Sequence, residues 1–172
     1  SGRPTATLPA GAMMVSDPAP LRVPGFADLA IDLFLPGDGA DQTLTIHRSA
    51  FQTNYLSSAG NHAGEPSFTD ATAVPSWFFL ERVEVSATER TAAVLTLGDS
   101  ITDGTGSTLD ANARWPDVLA RRLSDAKGVK TAVLNVGIAG NRVLSESIPE
   151  FGLNILARFD RDVLTQPGAT HL

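Results

Sequence analysis

Apolar and polar positions alternate with two different periods along this chain, and the change falls near residue 90. From residue 1 to about Val85 the period is two. In DLAIDLFLPGD, Leu29, Ile31, Leu33 and Leu35 share one face, while Ala30, Asp32 and Phe34 share the other. TLTIHRSAFQTNYL and SWFFLERVEV read the same way, with β-branched and aromatic residues set between Pro, Gly and Asp punctuation. No segment of this half keeps a helical period, so an antiparallel, jelly-roll-like β-sandwich is expected over residues 1–85, with His47 and Arg48 inside one strand. The polar stretch that follows, residues 86–91, has no apolar periodicity and reads as a linker.

Beyond the linker the pattern lengthens. Ala92 to Leu97 is a continuous apolar run of the kind found in a strand buried on both faces. NARWPDVLARRLSDAKG then places Trp115, Val118, Leu119 and Leu123 on one helical face, with Pro116 in the first turn and Gly128 as the stop. KTAVLNVGIAGN is a second buried strand that runs into glycines. NILARFDRDVLTQPG puts Leu156, Phe159, Val163 and Leu164 on a second helical face, ended by Gln166-Pro167-Gly168, and ATHL opens a third strand. The order β-α-β-α-β predicts a parallel, doubly wound sheet over residues 92–172. The whole is then α+β: a sandwich followed by the first half of an α/β domain.

Composition narrows the functions available. The 172 residues hold 42% hydrophobic and 19% charged side chains, ordinary for a globular protein. A net charge of −6 has the wrong sign for binding a phosphate backbone, so nucleic acid is not an expected partner. With no cysteine, disulfides, thiolate metal sites and a cysteine nucleophile are excluded. His47, His62 and His171 are far apart in sequence and match no metal-ligand spacing. No run of apolar residues is long enough for a membrane-spanning helix.

The chemistry concentrates in VLTLGDSITDGTGS, where the first buried strand gives way to Gly98-Asp99-Ser100. Such a triplet can simply be a turn, since Gly, Asp and Ser tolerate unusual backbone angles and bond locally. It is not a phosphate cradle: neither G-x-x-x-x-G-K-[ST] nor G-x-G-x-x-G is present, and Leu109 stands where the last glycine is wanted. Asp99 and Asp103 alone are two carboxylates without a third metal ligand. A nucleophilic serine at the carboxyl end of a parallel strand is the remaining reading, with backbone N–H groups as an oxyanion hole. The second strand ends in its own glycine loop, Gly137-Ile138-Ala139-Gly140-Asn141, which would bring the Gly140 N–H beside Ser100.

LGDSITDG resembles the first signature block of the GDSL, or SGNH, hydrolases, a family of serine esterases and lipases, and NVGIAGN resembles the second. The resemblance covers residues 92–172 and extends to ARWPDVLARRL and LARFDRDVL, which are similar to secreted bacterial members. It implies a flavodoxin-like catalytic domain, Ser100 as nucleophile, and the N–H groups of Ser100 and Gly140 as oxyanion donors. It also implies a small ester substrate (an acyl ester or an acetylated carbohydrate), no cofactor and a secreted protein. Asp99, next to Ser100, is expected to brace the turn through backbone hydrogen bonds, a role equally open to Asn141 or Asp103. Two family blocks are not found: Gly-x-Asn-Asp, which completes the oxyanion hole, and Asp-x-x-His, which supplies acid and base. The expectation is therefore that a complementary polypeptide carries the base, its orienting acid and the oxyanion asparagine. His62, in a polar loop, and His171, at the start of a strand, are poor substitutes, and His47 reads as structural. The rival from another class is a carbohydrate-binding sandwich, with Trp77 and Tyr55 as stacking residues, carrying a degenerate hydrolase scaffold.

Overall fold

The computed structural model describes residues 2–37, 44–68, 70–87, 89, 91–126 and 130–172. Gly128 and parts of the 86–91 segment lie outside them. Among the described residues of the first half, four short strands form: β1 (Ile46–His47), β2 (Asn54–Leu56), β3 (Thr72–Val74) and β4 (Trp77–Phe78). They pair antiparallel as β1 with β4 and β2 with β3, two separate ladders of two strands each. Residues 29–35, for all their alternation, form no strand and leave Leu33 at 55% exposure. Alternation fixes which side chains share a face. A strand also needs a neighbour for its N–H and C=O groups, and among the described residues this stretch has none.

The second half follows its periodicity more closely. β5 (Ala92–Thr96) is the central strand of a three-stranded sheet, with β6 (Thr131–Asn135) parallel on one side and β7 (Ala169–His171) parallel on the other. Ala93 and Leu95 of β5 are buried, as befits a strand flanked on both edges. The chain leaves β5 on the β6 side, then crosses β5 to place β7 on the opposite edge. This reversal is the switch point at which doubly wound sheets open a crevice beyond their carboxyl ends.

Among the described residues, three α-helices and a short 3-10 turn (Pro149–Phe151) connect the strands. α1 (Ser100–Asp103) is a single turn closed by Gly104, whose φ of +100° suits only a residue without a Cβ. α2 (Trp115–Asp125) has Pro116 in its first turn, and the Asp117 carboxylate turns back to accept the Arg114 N–H at 2.9 Å. Of its expected apolar face, Leu119 and Leu123 are half-buried while Trp115 and Val118 stay exposed. α3 (Ile155–Phe159) continues as one π-helical turn over Asp160–Leu164.

The inward stripe of α3 differs from the one predicted. Leu156 and Leu164 are about two-thirds exposed (67% and 66%), while Ile155, Arg158, Phe159, Asp162 and Val163 turn inward. These five follow the same 3.6-residue period, shifted by one position. The stripe runs through an ion pair, Arg158 Nη1 to Asp162 Oδ2 at 2.9 Å, which a search for apolar residues passes over.

Candidate active site

Ser100 is the first residue of α1, four positions beyond the end of β5, and its side chain is half-buried. The preceding residue caps the turn: Asp99 Oδ1 accepts the Ile101 N–H at 3.0 Å, and the Asp99 carbonyl accepts the N–H groups of Thr102 and Asp103. The Ser100 carbonyl closes the turn by accepting from Gly104 and Thr105 at 3.0 and 2.9 Å. Among the described residues the Ser100 N–H donates to no protein acceptor, as expected for the first amide of a helical turn.

The loop after β6 runs along this turn. Beyond the last paired residues, Val136 N–H still reaches the Thr96 carbonyl at 3.0 Å, and Ile138 N–H reaches the Gly98 carbonyl at 3.1 Å. Ser100 lies two residues past Gly98, and Gly140 two residues past Ile138. The loops approach so closely that a Cβ on Gly137 would press into the Asp103 amide and lie 2.9 Å from the Thr102 carbonyl carbon. Gly140 sits at φ +74°, with the Phe151 ring packed where its side chain would be. The Gly140 N–H also donates to no protein acceptor among the described residues.

Asn141 faces away from the turn. Its amide nitrogen donates to the carbonyls of Phe151 (2.9 Å) and Leu153 (2.7 Å), and its oxygen accepts from Arg158 Nε at 3.1 Å. Arg158 is 1% exposed and also donates through Nη1 to the Val136 carbonyl at 2.8 Å, while its Nη2 is buried without an acceptor. Burial raises the Asp162 carboxyl. Hydrogen bonds from Arg161 and Arg158 outweigh that effect and hold it below the ordinary carboxylate value. One guanidinium thus joins the end of β6, the residue after Gly140, and α3. Sequence reading missed it because a charged residue on a helix is expected to face water.

Asp103, which reads in the sequence as half of an incomplete metal pair and as a brace for the turn, meets a partner that spacing did not point to. It is 3% exposed, three positions after Ser100, and both carboxylate oxygens are bonded. Oδ1 accepts from His47 Nε2 at 2.8 Å, and Oδ2 accepts the Ala139 N–H at 2.8 Å. Among the described residues no three acidic or histidine side chains gather as a metal site. Nearby, Arg114 Nε donates to the Asp103 carbonyl at 2.7 Å and Nη2 to the Ala50 carbonyl. Asp110 accepts from the Thr53 hydroxyl and N–H, both at 2.6 Å, and these two bonds hold its carboxyl below the ordinary range.

The other candidate residues lie elsewhere. His62 Nδ1 donates to Glu65 at 3.1 Å, in a groove shared with Phe34 and Phe68. His171 is paired with Val94, part-way down β5, with the rest of that strand between it and the turn. The Trp77 ring packs against the His47 ring, while exposed Tyr55 lines a second groove with Phe68 and Asp70. Neither groove includes Ser100 or Gly140. No helix among the described residues is long and apolar enough to cross a membrane.

The model of the GDSL-like Lipase/Acylhydrolase family matches residues 96–168, from the last residue of β5 to the glycine before β7. No curated protein matches the chain. The matched span contains Ser100 and its capped turn, the Gly137–Asn141 loop and the buried Arg158, a unit built at the carboxyl end of a parallel sheet. Over residues 96–168 the chain is therefore similar to the GDSL-like lipase/acylhydrolase family.

Proposed function

We propose that Ser100 is the nucleophile of a carboxylic-ester hydrolase working through an acyl-enzyme. The observation that carries this reading is the position of a half-buried serine on a capped turn beyond the central strand, at the point where the strand order reverses. A base removes the Ser100 hydroxyl proton as Oγ bonds to the ester carbonyl carbon, and the carbonyl electrons move onto oxygen. The N–H groups of Ser100 and Gly140, which have no protein acceptor among the described residues, supply donors to that oxyanion. Collapse of the intermediate breaks the carbon–alkoxy bond, the alcohol leaves with the proton, and water then releases the acyl group.

The base, its orienting acid and a further oxyanion donor are assigned to polypeptide outside these 172 residues. Two observations support this. Each local histidine is committed elsewhere: His47 to Asp103, His62 to Glu65, and His171 to a strand position short of the turn. Ile101, Leu144, Leu156 and Leu164 of the hydrolase half are also exposed apolar side chains that such a partner would cover. The antiparallel pairing in the first half supports a β-sandwich module over residues 1–85, joined to the hydrolase module over 92–172.

The test uses the complete enzyme, in which these residues are joined by the polypeptide that supplies the base: reaction with a fluorophosphonate followed by peptide mass mapping, together with hydrolysis of p-nitrophenyl acetate. The adduct is expected on Ser100, and Ser100→Ala is expected to remove both labelling and hydrolysis. Hydrolysis that survives Ser100→Ala, or an adduct on another serine, overturns the assignment.

A further inference from the structure

We propose that His47, which lies outside the stretch matched to the hydrolase family, is a positioning residue for the Ser100 site. It acts through Asp103 on the loop that carries Gly140. The proposal rests on the reading of Ser100 and Gly140 given above and adds a residue from the other half of the chain.

The juxtaposition is specific. The carboxylate of Asp103 is buried at the end of the Ser100 turn, and a buried carboxylate keeps its orientation only while its oxygens are bonded. Two donors satisfy it from opposite sides: His47 Nε2–H on Oδ1 and Ala139 N–H on Oδ2, each at 2.8 Å. Ala139 immediately precedes Gly140, so the second bond sets the loop against the turn. The first bond holds the carboxylate in place for the second. A carboxylate oxygen only accepts, so Nε2 is the donor of this bond.

The imidazole is itself held. His47 pairs with Trp77 across β1 and β4, and the two rings lie 5.3 Å apart, tilted by 56°. The segment that follows is seated on the residues after α1. The Ala50 carbonyl accepts from Arg114, the Phe51 carbonyl accepts the Asp110 N–H at 3.0 Å, and Thr53 bonds the Asp110 carboxylate. Residues 46–53 therefore form a brace against the Ser100 turn, and His47 is the part of it that reaches the carboxylate.

The test compares His47→Gln with His47→Asn. The amide nitrogen of glutamine takes the place of Nε2 and can still donate to Asp103, whereas that of asparagine falls short. Thr53→Val serves as a control that weakens the brace without touching Asp103. In the complete enzyme, with p-nitrophenyl acetate, His47→Asn is expected to lower kcat about 10²-fold, the loss that follows from misplacing a catalytic group by about 1 Å. KM for that variant, and both constants for His47→Gln and Thr53→Val, should stay within about threefold of the parent.

Exchange of the Ala139 amide provides a readout independent of turnover: slow in the parent and His47→Gln, fast in His47→Asn. Equal kcat in the two His47 variants overturns the proposal, as does an equal fall in Thr53→Val. If Ser100→Ala leaves hydrolysis intact, the nucleophile reading fails and Ala139 exchange alone decides the role of His47. Equal protection in the two His47 variants then overturns it.

Discussion

Replacing Arg158 by methionine tests whether the charged stripe of α3 anchors the loop beside Ser100. The side chain is 1% exposed and donates to three acceptors: the Val136 carbonyl, Asn141 Oδ1 and Asp162 Oδ2. Methionine keeps the aliphatic volume and removes all three bonds. Each buried acceptor left unsatisfied is worth about 1–3 kcal/mol, and breaking a buried ion pair from one side about 3–5 kcal/mol. Two features reduce the sum. Asp162 retains Arg161, whose Nε and Nη2 lie 2.5 and 3.1 Å from its oxygens, and the substitution removes Arg158 Nη2, which is buried without an acceptor.

A net loss of about 3 kcal/mol is expected, a large share of a typical stability of about 5–15 kcal/mol. In urea, with a slope of about 2 kcal/mol/M, the midpoint should fall by about 1.5 M at unchanged slope. The pH dependence has a definite sign. The carboxyl of Asp162 is held below its ordinary value of 3.8, so its pairing stabilises the fold above that value and the contribution is lost as pH falls through the folded pKa. The gap between parent and Arg158→Met should therefore be full at neutral pH and narrow in acid. A loss under about 0.5 kcal/mol, the range of ordinary surface substitutions, would refute the anchoring role.

Gly137→Ala should be more damaging than a glycine-to-alanine change usually is, because the new methyl would press into the backbone at Asp103 and Thr102, which cannot swing aside as a side chain can. A fall in kcat of about 10²-fold is expected from displacing the Gly140 loop, and parent-like turnover in p-nitrophenyl acetate assays would show that the loop need not touch α1. Asp99→Ala removes the cap on the Ser100 turn and should lower stability by about 1 kcal/mol, read by thermal unfolding, while Asp99→Asn keeps an acceptor and most of that stability. Equal effects of the two Asp99 changes would assign the role to charge instead of the cap.

The sequence by itself determined the second half of this protein far more fully than the first. The apolar runs at 92–97 and 131–135 became paired parallel strands, and ATHL joined them as β7, but only the central β5 is buried; β6, at the sheet's edge, stays half-buried to exposed. Gly98-Asp99-Ser100 and the Gly137–Asn141 loop were legible because a strand's end fixes where its next residues emerge, and the family match covers both. The alternation of residues 29–35 had no such constraint, since a period of two marks a face and leaves open which strand lies beside it.

Tertiary structure alone decided what surrounds the serine. His47 and Asp103 are 56 positions apart and meet only because the β1 segment folds onto the residues after α1. Arg158 becomes interior because α3 is turned so that its charged stripe faces the end of β6, where backbone carbonyl, amide and carboxylate together make burial of a guanidinium tolerable. Local patterning records the preference of each side chain for water or core. A polar group that is buried because its partners arrive from elsewhere leaves no periodic trace, and its place is settled only when those partners are brought together.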